Sequence, residues 1–144
     1  MDFLTSMDIS SSALSAQRER MNVISSNLAN VNTTRTEEGG PYKKKSVVFK
    51  AANVDNFQKV LLNNIDKNLH KVEVEQVVED KGPGKLIYDP AHPDANRDGY
   101  VEMPNISLVS EMVDMLNTTR AYEANISVMN TAKSMANKAL SLAQ

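Results

Sequence analysis

The sequence predicts a mainly α protein in which paired long N- and C-terminal helices, coiled-coil-like, flank a small β-rich central insert. Three observations carry this. All five glycines and all five prolines of the 144 residues lie between Gly39 and Pro104. Residues 1–35 carry only three acids and three bases, and residues 105–144 carry the same, whereas residues 36–104 hold twelve acids and ten bases. Apolar residues recur with a period near 3.5 at both ends, and strand-like alternation occurs only in the centre. Residues 1–35 plus 105–144 therefore read as one helical domain, and 36–104 as the insert.

The first helix carries the heptad series Phe3, Met7, Ser10, Leu14, Gln17, Met21, Ile24, Leu28 and Val31, seven of nine apolar. The last carries Met112, Met115, Thr119, Tyr122, Ile126, Met129, Lys133, Ala136 and Leu140, again seven of nine. A period of 3.5 sustained over about four heptads favours helices that supercoil on one another. Acids precede bases in both (Asp2 and Asp8 before Arg18 and Arg20, Glu111 and Asp114 before Lys133 and Lys138), the order that suits the helix dipole. Asn105 or Ser107, just after Pro104, is placed to cap the second helix. Lengths of roughly 28 and 36 residues correspond to rods of about 40 and 55 Å.

Outside these seams the helices carry Ser and Asn, such as Ser11, Ser15, Asn22, Asn117 and Asn130, rather than Glu and Lys. Ser and Asn are mediocre helix formers because they compete for backbone hydrogen bonds. Small neutral residues at such positions suit protein contact on more than one side. They predict that the ends order fully only against partner surfaces.

In the centre, Ser46–Lys50 is a short strand candidate, and Lys71–Val78 begins with the strict alternation of a half-buried strand. Lys81-Gly82-Pro83-Gly84 reads as a turn, with Lys85–Tyr88 returning as the partner of 71–78. Residues 53–69 mix helical spacing with loop-forming asparagines and are left unassigned.

Composition excludes several functions. A net charge of −2 without a basic block argues against a nucleic-acid partner. No cysteine means no disulfide framework, Cys-ligated zinc or thiol nucleophile. No apolar run reaches the roughly 18 residues of a membrane span. The N-terminus has acids where a secretory signal needs bases, so the chain is expected either to stay in the cytoplasm or to leave without a cleaved signal peptide. No serine–histidine–aspartate set, phosphate loop or paired-carboxylate site can be assembled, so no catalytic residue, cofactor or metal is expected.

The string Asp94-Ala95-Asn96-Arg97-Asp98-Gly99-Tyr100 matches the start of a calcium-binding EF-hand loop. Position 12 of that loop is Asn105 rather than Glu, and the entering segment holds Pro90 and Pro93, which an entering helix does not tolerate. A tight turn closed by Asx hydrogen bonds explains the same residues. A calcium-binding interaction module using Asp94, Asn96 and Asp98 is therefore the alternative function. His92, between prolines, reads as a turn residue, and Lys43-Lys44-Lys45 as a solvated strand edge.

Ser26-Asn27-Leu28-Ala29-Asn30-Val31-Asn32-Thr33 resembles the N-terminal motif of the flagellar rod and hook protein family. Gly39–Phe49, the string from Tyr88-Asp89-Pro90 to Met103-Pro104-Asn105, and Glu111–Met115 with Arg120–Asn125 resemble further segments of its rod members, in order along the chain. The resemblance implies a structural subunit of the proximal rod of the bacterial flagellar basal body. Such a subunit is exported by the flagellar type III apparatus without signal cleavage and stacked helically in the periplasm to transmit torque from motor to hook. Its implied partners are other proximal and distal rod proteins, with rod-base and export-gate components beneath, in homo- and hetero-oligomeric assembly. The resemblance also puts the terminal helices in the inner tube and the insert further out.

The expected interface residues follow from the seams. Leu14, Met21, Ile24 and Leu28 are expected to face Met112, Met115, Tyr122, Ile126 and Met129. Asn27, Asn30 and Asn125 are expected to hydrogen-bond backbone or neighbouring subunits.

Overall fold

The computed structural model of the chain describes residues 3–53 and 69–142. Two long helices, α1 (Phe3–Ala29, 27 residues) and α2 (Leu108–Leu142, 35 residues), bracket the insert. They run antiparallel: Asn27, near the end of α1, bonds Glu111 near the start of α2, and two turns further in Thr119 Oγ1 lies 3.9 Å from Met21 Sδ. Glu111 N–H donates to the Ser107 carbonyl at 3.0 Å, which makes Ser107 the residue that leads into α2. At the other junction Asn30 ends α1 by donating from Nδ2 back to the Ser26 carbonyl at 2.9 Å. As predicted, the chain is two terminal helices with a small stranded insert between them.

The insert is two separate ribbons. β1 (Lys45–Asn53) pairs antiparallel with β2 (His70–Glu79), from Lys45 opposite Glu79 to Asn53 opposite His70. The register shifts between Val48 and Phe49, whose partners are Gln76 and Val74, so Glu75 is the extra residue of a bulge. β3 (Lys85–Tyr88) pairs antiparallel with β4 (Tyr100–Met103). This corrects the expected pairing of 85–88 with 71–78. One edge of β2 is occupied by β1, and on the side of α1 Ser12 Oγ accepts the Val72 N–H at 3.2 Å. β3 instead meets a second four-residue strand, which follows after an 11-residue loop. The unassigned stretch 53–69 lies, but for its two end residues, outside the described residues.

Buried apolar residues among those described are few: Ala16, Val23 and Ile24 on α1, Val101 on β4, and Ile106 before α2. The hairpin β1–β2 lies on α1, with Arg20 over the Phe49 ring at 6.0 Å. α1 is thus covered by α2 and by the hairpin. α2 contributes only Glu111 and Thr118 to the buried set.

Candidate assembly surface

On α1, Ile24 is buried and Leu14, Met21 and Leu28 are half-buried. On α2 the non-exposed positions are Glu111, Asp114, Met115, Thr118, Thr119, Ala121, Tyr122, Asn125, Met129, Ala132 and Ala136. Eight of them, Glu111, Met115, Thr118, Tyr122, Asn125, Met129, Ala132 and Ala136, follow the 4–3 spacing of a heptad seam. It shares Met115, Tyr122, Met129 and Ala136 with the expected series, and Thr119 of that series is half-buried beside it. Met112 (52% exposed) and Ile126 (38%) do not enter it: they are turned outward, and Glu111 and Asn125 hold the corresponding inward positions. A seam chosen from apolar residues alone selects the wrong neighbour at those points, because this helix has apolar residues on more than one side.

The outer apolar face is strongest over the first turns of α2. Val109 is 71% exposed, and Met112, Val113 and Leu116 are each about half exposed. The spacing i, i+3, i+4, i+7 places them in one stripe. Nothing among the described residues covers it. Further along, Val128 and Met135 continue the exposure of apolar side chains.

Beneath the start of this stripe lies a polar cluster. Asn27 is 1% exposed, and all four hydrogen-bonding positions of its amide are filled. Its Nδ2 donates to the Lys45 carbonyl at 2.8 Å and to Glu111 Oε2 at 3.0 Å. Its Oδ1 accepts from the Lys45 N–H at 2.9 Å and from the Tyr42 hydroxyl at 3.2 Å. With the Tyr42 proton committed to Asn27, the Ser26 hydroxyl, 3.1 Å away, is the donor to the Tyr42 oxygen. Glu111, also 1% exposed, is neutralised by Lys44 Nζ at 2.7 Å from Oε1. The Lys44 carbonyl in turn accepts the Asp80 N–H at 2.7 Å, bringing in the end of β2. Sequence reasoning placed Asn27 here among its candidates but missed Lys44, Glu111 and Tyr42. Lys44 is not part of a solvated edge, because its side chain reaches inward past the strand start. The available signal was Glu111 itself, an acid in heptad register with Met115, Thr118 and Tyr122.

The other two asparagines behave differently. Asn30 acts locally, closing α1 as described and accepting from Thr33 Oγ1 at 3.1 Å. Asn125 is half-buried, in heptad register with Glu111 and Thr118.

In the Asp94–Tyr100 string the side-chain oxygens of Asp94 and Asn96 bond to the chain itself. Asn96 Oδ1 accepts from the N–H of Asp98 (3.0 Å) and of Tyr100 (2.9 Å), an Asx-type turn. Asp94 Oδ2 accepts from Thr34 Oγ1 at 2.8 Å, and Arg35 lies 4.0 Å from Oδ1. Gly99 has a φ of +81°, and a Cβ there would lie 2.9 Å from the Tyr88 ring, so the loop needs glycine for both conformation and space. His92 Nδ1 accepts the Asp94 N–H at 3.1 Å. Among the described residues no three His, Asp or Glu side chains are grouped as a metal would require, and no helix is long and apolar enough to cross a membrane.

Two family models match the chain. The model described as "Flagella basal body rod protein" covers residues 7–35, and that described as "Flagellar basal body rod FlgEFG protein C-terminal" covers residues 97–142. Among curated proteins, the chain is 45% identical to the flagellar basal-body rod protein FlgC of Borreliella burgdorferi, over all of this chain and 99% of that one. It is 42% identical to the FlgC of Bacillus subtilis over 95% of each chain, and 42% identical to that of Salmonella typhimurium over the whole of both.

Proposed function

The chain belongs to the flagellar basal-body rod protein family, and from that premise we propose that it is a non-enzymatic subunit of the proximal rod, stacked helically to transmit torque from motor to hook. The supporting observation is the uncovered apolar stripe Val109, Met112, Val113 and Leu116 on α2. Solvent-exposed apolar patches of this kind mark protein contact surfaces. Burial at roughly 25 cal/mol per Å2 supplies cohesion between neighbours without directional bonds. On this reading residues 1–35 plus 105–144 form the shaft and 36–104 the outer part. The neighbours are other proximal and distal rod proteins, with rod-base and export-gate components beneath. The chain reaches the periplasm through the flagellar type III apparatus, without a cleaved signal.

The test is Val113→Asp in the cell. A carboxylate in the middle of the stripe costs the free subunit little, because the position is 51% exposed, but it places an unpaired charge in any interface formed there. Swimming is expected to be lost at wild-type protein level. Normal swimming at that level would sink the proposed interface.

A further inference from the structure

The Asn27–Glu111–Lys44 cluster is an uneconomical way to gain stability. Replacing a buried ion pair by apolar side chains of similar volume is often neutral or stabilising. What the cluster supplies instead is direction. A single hydrogen bond is a pivot, whereas two bonds to one residue resist twisting. Asn27 makes two such bonds to Lys45, the first residue of β1, accepting its N–H and donating to its C=O, much as a neighbouring strand would. That fixes the course of β1 against α1. The adjacent Lys44 then reaches a third point, Glu111 on α2, and Asn27 closes the triangle by donating to the same carboxylate.

We propose that Asn27, Glu111 and Lys44 are positioning residues: a clasp that sets the angle between the helix pair and the β1–β2 hairpin, and with it the shape in which the subunit meets its neighbours. Among the described residues, hairpin and α1 are also tied by the Ser12–Val72 bond at 3.2 Å and the Arg20–Phe49 contact at 6.0 Å, beside the side-chain packing of the hairpin on α1, which is less directional, and the connecting segment 30–44. Without the clasp the hairpin stays attached but is free to tilt. The consequence for assembly rests on the reading of the chain as a rod subunit; the clasp itself does not.

The absence of cysteine allows two clean spin labels, at the exposed positions Lys50 on β1 and Asn117 on α2. Pulsed electron spin resonance on the full chain reads the distance between hairpin and helix pair. The wild-type background should give one narrow distance distribution. Glu111→Gln keeps volume and an acceptor for Asn27 but removes the charge that Lys44 meets, and the narrow peak should be lost. Asn27→Ala should broaden it further, while Thr118→Val, a buried change on the same helix face outside the cluster, should leave it unchanged. All are compared where circular dichroism shows wild-type helicity; if Asn27→Ala fails that condition, Glu111→Gln decides. A narrow, unmoved peak in Glu111→Gln would overturn the clasp. A broadened peak in a variant that swims as wild type would overturn its role in assembly, separately from the outcome of Val113→Asp.

Discussion

The two helices carry the same number of charges over their chain ends and similar seams, yet they sit in opposite surroundings. α1, with 27 residues, has α2 on one side and the hairpin on another, and it buries Ala16, Val23, Ile24 and Asn27 among others. α2 is longer, at 35 residues, and its buried residues are a carboxylate and a threonine, Glu111 and Thr118. Its larger apolar side chains are half-buried in the seam or exposed. The difference shows that apolar periodicity reports how many faces a helix offers to protein, not which protein covers them. α1 finds its partners within the chain. α2 presents Val109, Met112, Val113 and Leu116 outward, and on the proposed assembly its partners are other subunits.

Removing a partner inside the polar cluster should have the largest effect. Lys44→Met leaves the Glu111 carboxylate, 1% exposed, with only the Asn27 amide beside it. Breaking a buried pair by deleting one member costs roughly 3–5 kcal/mol, and the low end applies because Lys44 keeps 29% exposure. Denaturant unfolding of the free chain measures this. The double variant Lys44→Met with Glu111→Gln should recover part of the loss, since no buried charge then remains. A double variant as unstable as the sum of the two singles would mean that Lys44 and Glu111 do not act as a pair.

Next in size is truncation on the covered helix. Ile24→Ala empties a site that is 6% exposed, for an expected cost of about 2–3 kcal/mol in the same measurement. A cost near zero would mean that α1 is not the enclosed helix that its burial indicates.

Much of this was legible beforehand, for definite reasons. Glycine and proline confined to 39–104 gave the helix limits, because helix interiors exclude both. The strand candidates 46–50 and 71–78, the second from its alternation, fall within the strands 45–53 and 70–79, and the Asn96 turn follows from Asx chemistry that forms within a few residues. Strand partnership was not legible. The turn at Lys81–Gly84 suggests a hairpin, whereas β2 pairs with β1 across the segment between them and β3 with β4, a choice that no local pattern carries. The cluster is half visible: Asn27 is one of the asparagines outside the apolar seam expected to hydrogen-bond backbone or a neighbour, whereas Lys44 reads as one of three equivalent lysines. What distinguishes it is Glu111, 67 positions away in sequence, and no local pattern carries that information.

The smallest expected effect is the most discriminating. Leu116→Ser removes a large apolar side chain from α2, as Ile24→Ala does from α1, but at a position that is 51% exposed. Surface substitutions away from special features fall within about 0.5 kcal/mol, so the free chain should unfold almost as wild type does. Its association should weaken nonetheless, read as a lower sedimentation-average mass at equal concentration or as poorer incorporation into rods. The paired result, stability kept and association lost, is what separates a face built for a neighbour from a face belonging to the fold. If Leu116→Ser instead costs as much as Ile24→Ala, the stripe is covered within the free chain, and the contrast between the two helices disappears.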